Sequence, residues 1–267
     1  MAVDELRMNV ATSCRILGML GMVEGTTGHV SARIPGTDEM WIRCRGGDEY
    51  GLMFTGIHNI RRVSFDGDGP GMDDKHAKPN ETAIHGEIYR AHPEVMSVVH
   101  AHPKYVLRCG ITDIQYKPYF NAFDPSMLDI VMKGVPIFER SVTVSNKELG
   151  ADMLKAMGDR DVLLMRGHGI TAHAGSVEAA TSLAIRFDDL SKLMWDIATS
   201  GREGIEISEQ DRGRYGQGGG GGGAARRPDA PRTGWAALEG VETWGWKHYV
   251  KRLQLANIGL PDDLDSK

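Results

Sequence analysis

Ten histidines are spread along the 267-residue chain, and three stand where a site can form. Val98-Val99-His100-Ala101-His102 closes an apolar run with two imidazoles at positions i and i+2. Alternation along a strand points both rings to one face, so they can take adjacent positions on one metal ion. The third, His168, lies in Leu163-Leu164-Met165-Arg166-Gly167-His168-Gly169, between glycines just past a second apolar run. Strand ends are where open α/β sheets build their sites. Three neutral imidazoles suit zinc, manganese, iron or cobalt and leave a coordination position open for substrate. One buried histidine alone is more often structural; the three together, with an acid nearby, point to a divalent metal.

That acid is Glu81, in Lys78-Pro79-Asn80-Glu81-Thr82-Ala83-Ile84-His85. Glu81 and His85 stand at i and i+4 and share a helix face. At a helix start Glu81 can serve as a cap or dipole partner. Beside a metal it can instead move a proton or act as a fourth ligand.

The elements that must position these groups are legible from periodicity. Leu6, Val10, Ile16, Leu17 and Leu20 mark an amphipathic helix over residues 5–22. Residues 30–34 and 40–42 form a hairpin around Pro35-Gly36, and 63–65 a further strand, followed by a Gly/Asp-rich loop over 66–77. A helix over 79–91, with Pro79 in its first turn, leads to a buried strand at 95–101. Then come a helix and strand within 128–138, a helix over 147–157, a strand at 162–165 and a long helix over 176–200 with Ser176 as N-cap. Strands alternating with helices imply one α/β catalytic domain over residues 1–200. The Gly218–Gly223 run and the segment around it define a flexible linker over 201–234. Trp235, Trp244, Trp246, Tyr249, Leu253 and Leu255 make 235–267 a docking segment, with Trp244 and Trp246 as packing anchors.

Composition narrows the classes. The chain is 41% hydrophobic and 25% charged, ordinary for a soluble globular protein. The net charge of −5 and the lack of a basic stripe argue against nucleic acid as partner. No run approaches a membrane span, no signal peptide is seen, and three scattered cysteines form no disulfide framework. The expectation is a cytoplasmic protein with no membrane partner. His92 is expected to be exposed, His58 and His76 to sit in loops with His76 able to reach the site, and His173 to be structural.

The run KPNETAIHGEIYRAHPEVMSVVHAHPKY, followed by LLMRGHG, resembles the class II aldolase/adducin family, as do Gly28-His29-Val30-Ser31-Ala32-Arg33 and Val63-Ser64-Phe65-Asp66-Gly67. The resemblance covers residues 5–200. It implies a three-layer α/β/α fold around a central mixed sheet, assembled as a homotetramer with sites between subunits. It implies a divalent ion on His100, His102 and His168, Glu81 as acid/base residue, and help from a neighbour's tyrosine, with Tyr119 near that position.

The departures bear on the substrate. Family members that act on sugar phosphates hold the phosphate with small hydroxyls and amides. Here His29 replaces an asparagine, Ile42-Arg43-Cys44-Arg45-Gly46 replaces a small polar turn, and Pro79-Asn80 replaces a serine pair. Arginine forks suit carboxylates as well as phosphates. Alternation would place Arg43 and Arg45 on one face; they can also be surface residues of a solvated strand. Lost serines with gained arginines fit a carboxylated substrate. The chain thus resembles members that decarboxylate aromatic vicinal dicarboxylates with a neighbouring hydroxyl. The activity this implies is metal-dependent, non-oxidative decarboxylation through a metal-stabilised enolate, with 3,4-dihydroxyphthalate giving protocatechuate as the expected reaction. Arg43 or Arg45 would hold the second carboxylate, with His85 beside them. Glu81, or else His29 or His85, would supply the ring proton. The rivals are an aldolase or epimerase acting on an unphosphorylated sugar or hydroxy-keto acid, an Fe(II) oxygenase, and an adducin-like interaction module.

Overall fold

The computed structural model describes residues 3–47, 49–120, 124, 126–213, 244–256 and 258–259. Along the chain lie α1 (Val3–Met19), β1 (His29–Arg33), β2 (Glu39–Arg43), β3 (Arg45–Gly46), β4 (Ile60–Ser64), β5 (His76–Ala77), α2 (Thr82–Ala91), β6 (Ser97–Ala101), α3 (Lys104–Gly110), α4 (Met127–Lys133), β7 (Ile137–Phe138), α5 (Lys147–Met157), β8 (Val162–Met165), β9 (Gly169–Ala174), α6 (Val177–Thr199), α7 (Glu209–Arg212) and α8 (Trp244–Leu255).

Seven strands form one sheet in the order β4-β2-β1-β6-β9-β8-β7. Its pairs are antiparallel except β7 with β8, so the sheet is mixed. The pleat sends alternate residues to opposite faces. Val30, Ala32, Val99 and Ala101 pack with residues of α1, α3 and α6. Met40, Ile42 and Val98 pack with residues of α2 and α5. Two apolar cores on two faces make the expected three layers. His29 and His100 are register partners on adjacent strands, and both belong to the face that carries α2.

Several boundaries differ from periodicity. The first helix stops at Met19, where the chain turns through Gly21 in the left-handed region. The stretch 66–77 holds β5, which pairs with β3. Strand β9 was not anticipated, because its GITAHA sequence mixes polar and apolar residues and follows β8 through a tight turn. Ser176 caps α6 as expected, its side chain accepting from Ala179 N–H at 3.1 Å.

Helix α8 packs against α1 and α6. Leu253 of α8 is fully buried in the core that α1 and α6 share, and Arg15 Nη1 donates to the Ile258 carbonyl at 2.8 Å. Residues 203–208 are not free linker: Ile207 N–H donates to the Pro118 carbonyl at 2.9 Å, and Gly204 lies against the Tyr119 ring. One backbone bond and an aromatic ring thus hold the first residues of the span expected as a linker. The Gly218–Gly223 run and Trp235 fall outside the described residues. No helix among the described residues is long and apolar enough to cross a membrane.

Candidate metal centre

Strand β6 ends at Ala101 and delivers His100 and His102 to one end of the sheet. Their rings stand edge to face at 4.9 Å, with Nε2 atoms 3.0 Å apart. His168 arrives from the β8–β9 turn, its ring 5.0 Å from both others. Glycines make that turn possible. Gly167 has φ +63°, and a Cβ on Gly169 would lie 2.2 Å from the Ala101 carbonyl oxygen. Glu81 comes from the start of α2, where it occupies the N-cap position but makes no side-chain cap bond. Its Oε2 lies 3.2 Å from Nε2 of both His100 and His168. Its Oε1 accepts from Val144 N–H at 3.0 Å. One ligand atom from each of the four residues falls within 4.8 Å of the others.

The donor set fits a divalent cation. His168 Nδ1 faces the Val142 carbonyl at 3.0 Å, so its hydrogen sits there and Nε2 presents a lone pair inward. His100 Nδ1 lies 3.4 Å from Thr171 Oγ1, whose own hydrogen goes to Met165 Sδ, so His100 Nε2 likewise turns a lone pair inward. Burial pushes the Glu81 carboxyl up, but in the metal-free protein protonated His100 and His168 beside it outweigh burial and hold the group well below the usual carboxylate range. Burial, aided by His100 and His168, pushes His102 down to about 3, keeping it neutral. His168 is opposed by burial but raised overall by the Glu81 carboxylate. Neutral imidazole nitrogens crowded around a carboxylate are what a zinc-like ion requires.

His29 stacks on His100 at 4.9 Å, and its Nδ1 lies 2.6 Å from His85 Nε2. His85 continues to Ser31 Oγ at 2.6 Å, and Ser31 to Tyr89 Oη at 2.7 Å. Burial pushes His85 down to about 3 and His29 well below its ordinary range. Ser31 and Tyr89 were missed from sequence, although their signals were there. Ser31 stands two residues after His29 on a strand, and Tyr89 four after His85 on a helix. Thr171 and the carbonyl of Val142 carried no such signal.

The two arginines part company. Ile42 faces α2 and α5, so Arg43 turns to the other face, toward Cys14 of α1. There it pairs with Glu49 and donates to the Thr26 carbonyl at 3.1 Å. Only 3% of its side chain is exposed. Arg45, on β3, is exposed, and its Nε donates to the same carbonyl at 3.3 Å. The two arginines share an acceptor, although β2 ends at Arg43 and β3 starts at Arg45. The Tyr119 ring rests on Gly204 rather than on its own subunit's histidines. His76 pairs with Asp73 at 2.7 Å and is not brought to the cluster. His92, expected to be exposed, is half-buried and stacks on the buried His173 at 5.4 Å.

Residues 8–195 match the class II aldolase and adducin N-terminal domain, and the chain belongs to that family. It is 39% identical over 208 residues to a 3,4-dihydroxyphthalate decarboxylase from Arthrobacter keyseri, covering 77% of this chain and 84% of that protein. It is 37% identical over 249 residues to a protein of the same name from Terrabacter sp. (strain DBF63), covering 92% and 96%. In fold it is similar to an aldolase II superfamily protein from Pseudomonas syringae, with a TM-score of 0.76 at 15% identity over 97% and 95% of the two chains.

Proposed function

We propose that this protein is a carboxy-lyase: a metal-dependent, non-oxidative decarboxylase that converts 3,4-dihydroxyphthalate to protocatechuate. The observation that carries this reading is the convergence of His100, His102, His168 and Glu81 within 4.8 Å, in a chain 34–39% identical to three proteins named for that reaction. The aldolase or epimerase alternative is supported less well, since L-fuculose phosphate aldolase from Escherichia coli shares only 25% identity.

His100, His102 and His168 hold the ion, whose identity among zinc, manganese, iron and cobalt is left to availability. When bound, it supplies a Lewis acid that draws electron density toward the oxygens it meets. In the reaction the bond from the ring carbon to the carboxyl carbon breaks and its electron pair stays on the ring. CO2 leaves and a proton takes its place, so no oxidant is consumed. Glu81 moves that proton at Oε2, while Val144 N–H fixes its other oxygen. His29 stands against His100, with His85 behind it. Arg45, exposed beside the Thr26 carbonyl, meets the second carboxylate, and Arg43 holds the loop that leads to His29. We further place the enzyme in the cytoplasm, where its three free, buried cysteines stay reduced, as a homotetramer in which Tyr119 serves a neighbour's site.

The test is product analysis. Metal-reconstituted protein is given 3,4-dihydroxyphthalate, and CO2 and protocatechuate are followed beside a chelated control. Metal-dependent release of both in equal amounts is expected. No release with any of the four metals would remove this substrate.

A further inference from the structure

Beside the metal cluster runs a second line of polar groups, buried throughout: His29 Nδ1 to His85 Nε2, His85 Nδ1 to Ser31 Oγ, Ser31 Oγ to Tyr89 Oη, at 2.6, 2.6 and 2.7 Å. His85 and Ser31 are wholly buried, and Tyr89 is 1% exposed. Two ring nitrogens 2.6 Å apart hold one hydrogen between them, so one imidazole donates and the other accepts, and counting hydrogens along the line decides its direction.

In one direction Tyr89 O–H donates to Ser31, Ser31 O–H to His85 Nδ1, and His85 Nε2–H to His29 Nδ1. Three of the four hydrogens then have acceptors in the line, and the fourth, on His29 Nε2, lies on the one ring of the line that keeps some exposure, 5%, and is not a buried atom without a partner. In the other direction His29 Nδ1–H donates to His85, and His85 Nδ1–H to Ser31. The hydroxyls of Ser31 and Tyr89 then have only each other, and one of their hydrogens is stranded. Among the described residues neither hydroxyl meets another acceptor. A buried donor without an acceptor is the costlier arrangement, so the first direction holds.

We infer that the Tyr89–Ser31–His85 line fixes His29 as the Nε2–H tautomer and thereby makes His29 a neutral hydrogen-bond donor to a substrate carboxylate at the metal centre, rather than the base of the site. Nδ1 of His29 is committed to His85, so Nε2 is the nitrogen left for a ligand, on a ring stacked against His100. His85, Ser31 and Tyr89 are positioning residues that act through His29. The carboxylate rests on the proposed function; the tautomer does not.

The experiment is long-range ¹H–¹⁵N correlation spectroscopy on zinc-loaded, ¹⁵N-histidine-labelled full-length protein, with His29→Gln and His85→Gln for assignment. Expected are a pyridine-type Nδ1 and a pyrrole-type Nε2 for both His29 and His85. A pyrrole-type Nδ1 on His29 would overturn the inference. Ser31→Ala removes the donor at His85 Nδ1 and should give a second tautomer of His85 and of His29; unchanged His29 signals in the folded variant would show that the line does not set it. If that variant does not fold, the wild-type spectrum decides alone. Titrating phthalate, a vicinal dicarboxylate without ring hydroxyls, should shift the His29 Nε2–H signal, and an unmoved signal would overturn its role as carboxylate donor. Were the tautomer as inferred but no CO2 released from 3,4-dihydroxyphthalate, the substrate would fall and the hydrogen-bond line would stand.

Discussion

Glu81 and His168 stand 87 positions apart in the chain, yet Oε2 of one lies 3.2 Å from Nε2 of the other. The Glu81 carboxylate is divided: Oε1 is anchored by Val144 N–H, and Oε2 alone faces the imidazoles. Glu81→Gln keeps the shape and can keep the anchored oxygen. With Glu81 as proton carrier, kcat should fall about 10²- to 10⁴-fold while metal content by mass spectrometry stays at the wild-type level. Loss of metal together with activity would make Glu81 a ligand instead.

Removing the metal should be visible in stability and in its pH dependence. Burial holds His85 and His102 at about 3 in the folded apoprotein, against about 6.5 when unfolded. Folded pKa values below the unfolded ones mean that the unfolded chain binds protons first as pH falls. The contribution of these two histidines should therefore be fully present above about pH 6.5 and fall by up to ~1.4 kcal/mol per pH unit for each as pH falls toward 3, while the smaller contribution of His168, raised by Glu81, is lost in the opposite sense as pH rises. A saturating divalent ion should raise Tm at neutral pH, by the equivalent of ~2.7 kcal/mol at 100 times Kd, and lose that effect in acid as protons compete for the ligands. Thermal melts with and without chelator across this range check both signs.

Arg43 and Arg45 should separate under alanine substitution. Arg43→Ala leaves the carboxylate of Glu49 inside the fold without its partner and should cost about 3 kcal/mol of stability. Arg45→Ala touches an exposed side chain; Tm should hold, and KM for the dicarboxylate should rise about tenfold, the equivalent of ~1.4 kcal/mol. Urea melts and steady-state kinetics on the pair decide it. A rise in KM confined to Arg43→Ala would return the carboxylate to Arg43.

Asp188 on α6 offers a stabilising change away from the site. Burial first, then the charge of Asp189, pushes its carboxyl up to about 7, and its Oδ1 meets no hydrogen-bond partner among the described residues. A folded pKa above the unfolded one makes ionisation a cost, absent below about pH 4 and complete above about pH 7. Asp188→Asn should thus stabilise on the order of 2 kcal/mol at pH 8 and have little effect at pH 4. Melts at the two pH values test it; equal effects at both would refute it.

Much of this protein is written in local spacing. The period of two set His100 and His102 side by side at a strand end, glycines on either side of His168 marked a tight turn, and Ser176 announced its helix. These signals survive folding because they depend on backbone geometry over a few residues. What the sequence by itself could not decide was which distant groups meet. Whether Arg43 is a free fork or a buried partner depends on Glu49 and on the carbonyl of Thr26, brought beside it by the path of the loops. Whether Glu81 caps its helix or faces a metal depends on His100 and His168, carried in by other strands. The role of His29 depends on a hydroxyl of Tyr89, reached through α2 and β1. Such contacts are fixed by the packing of helices on a sheet and by the need of each buried polar group to find a partner, and only the tertiary structure supplies both.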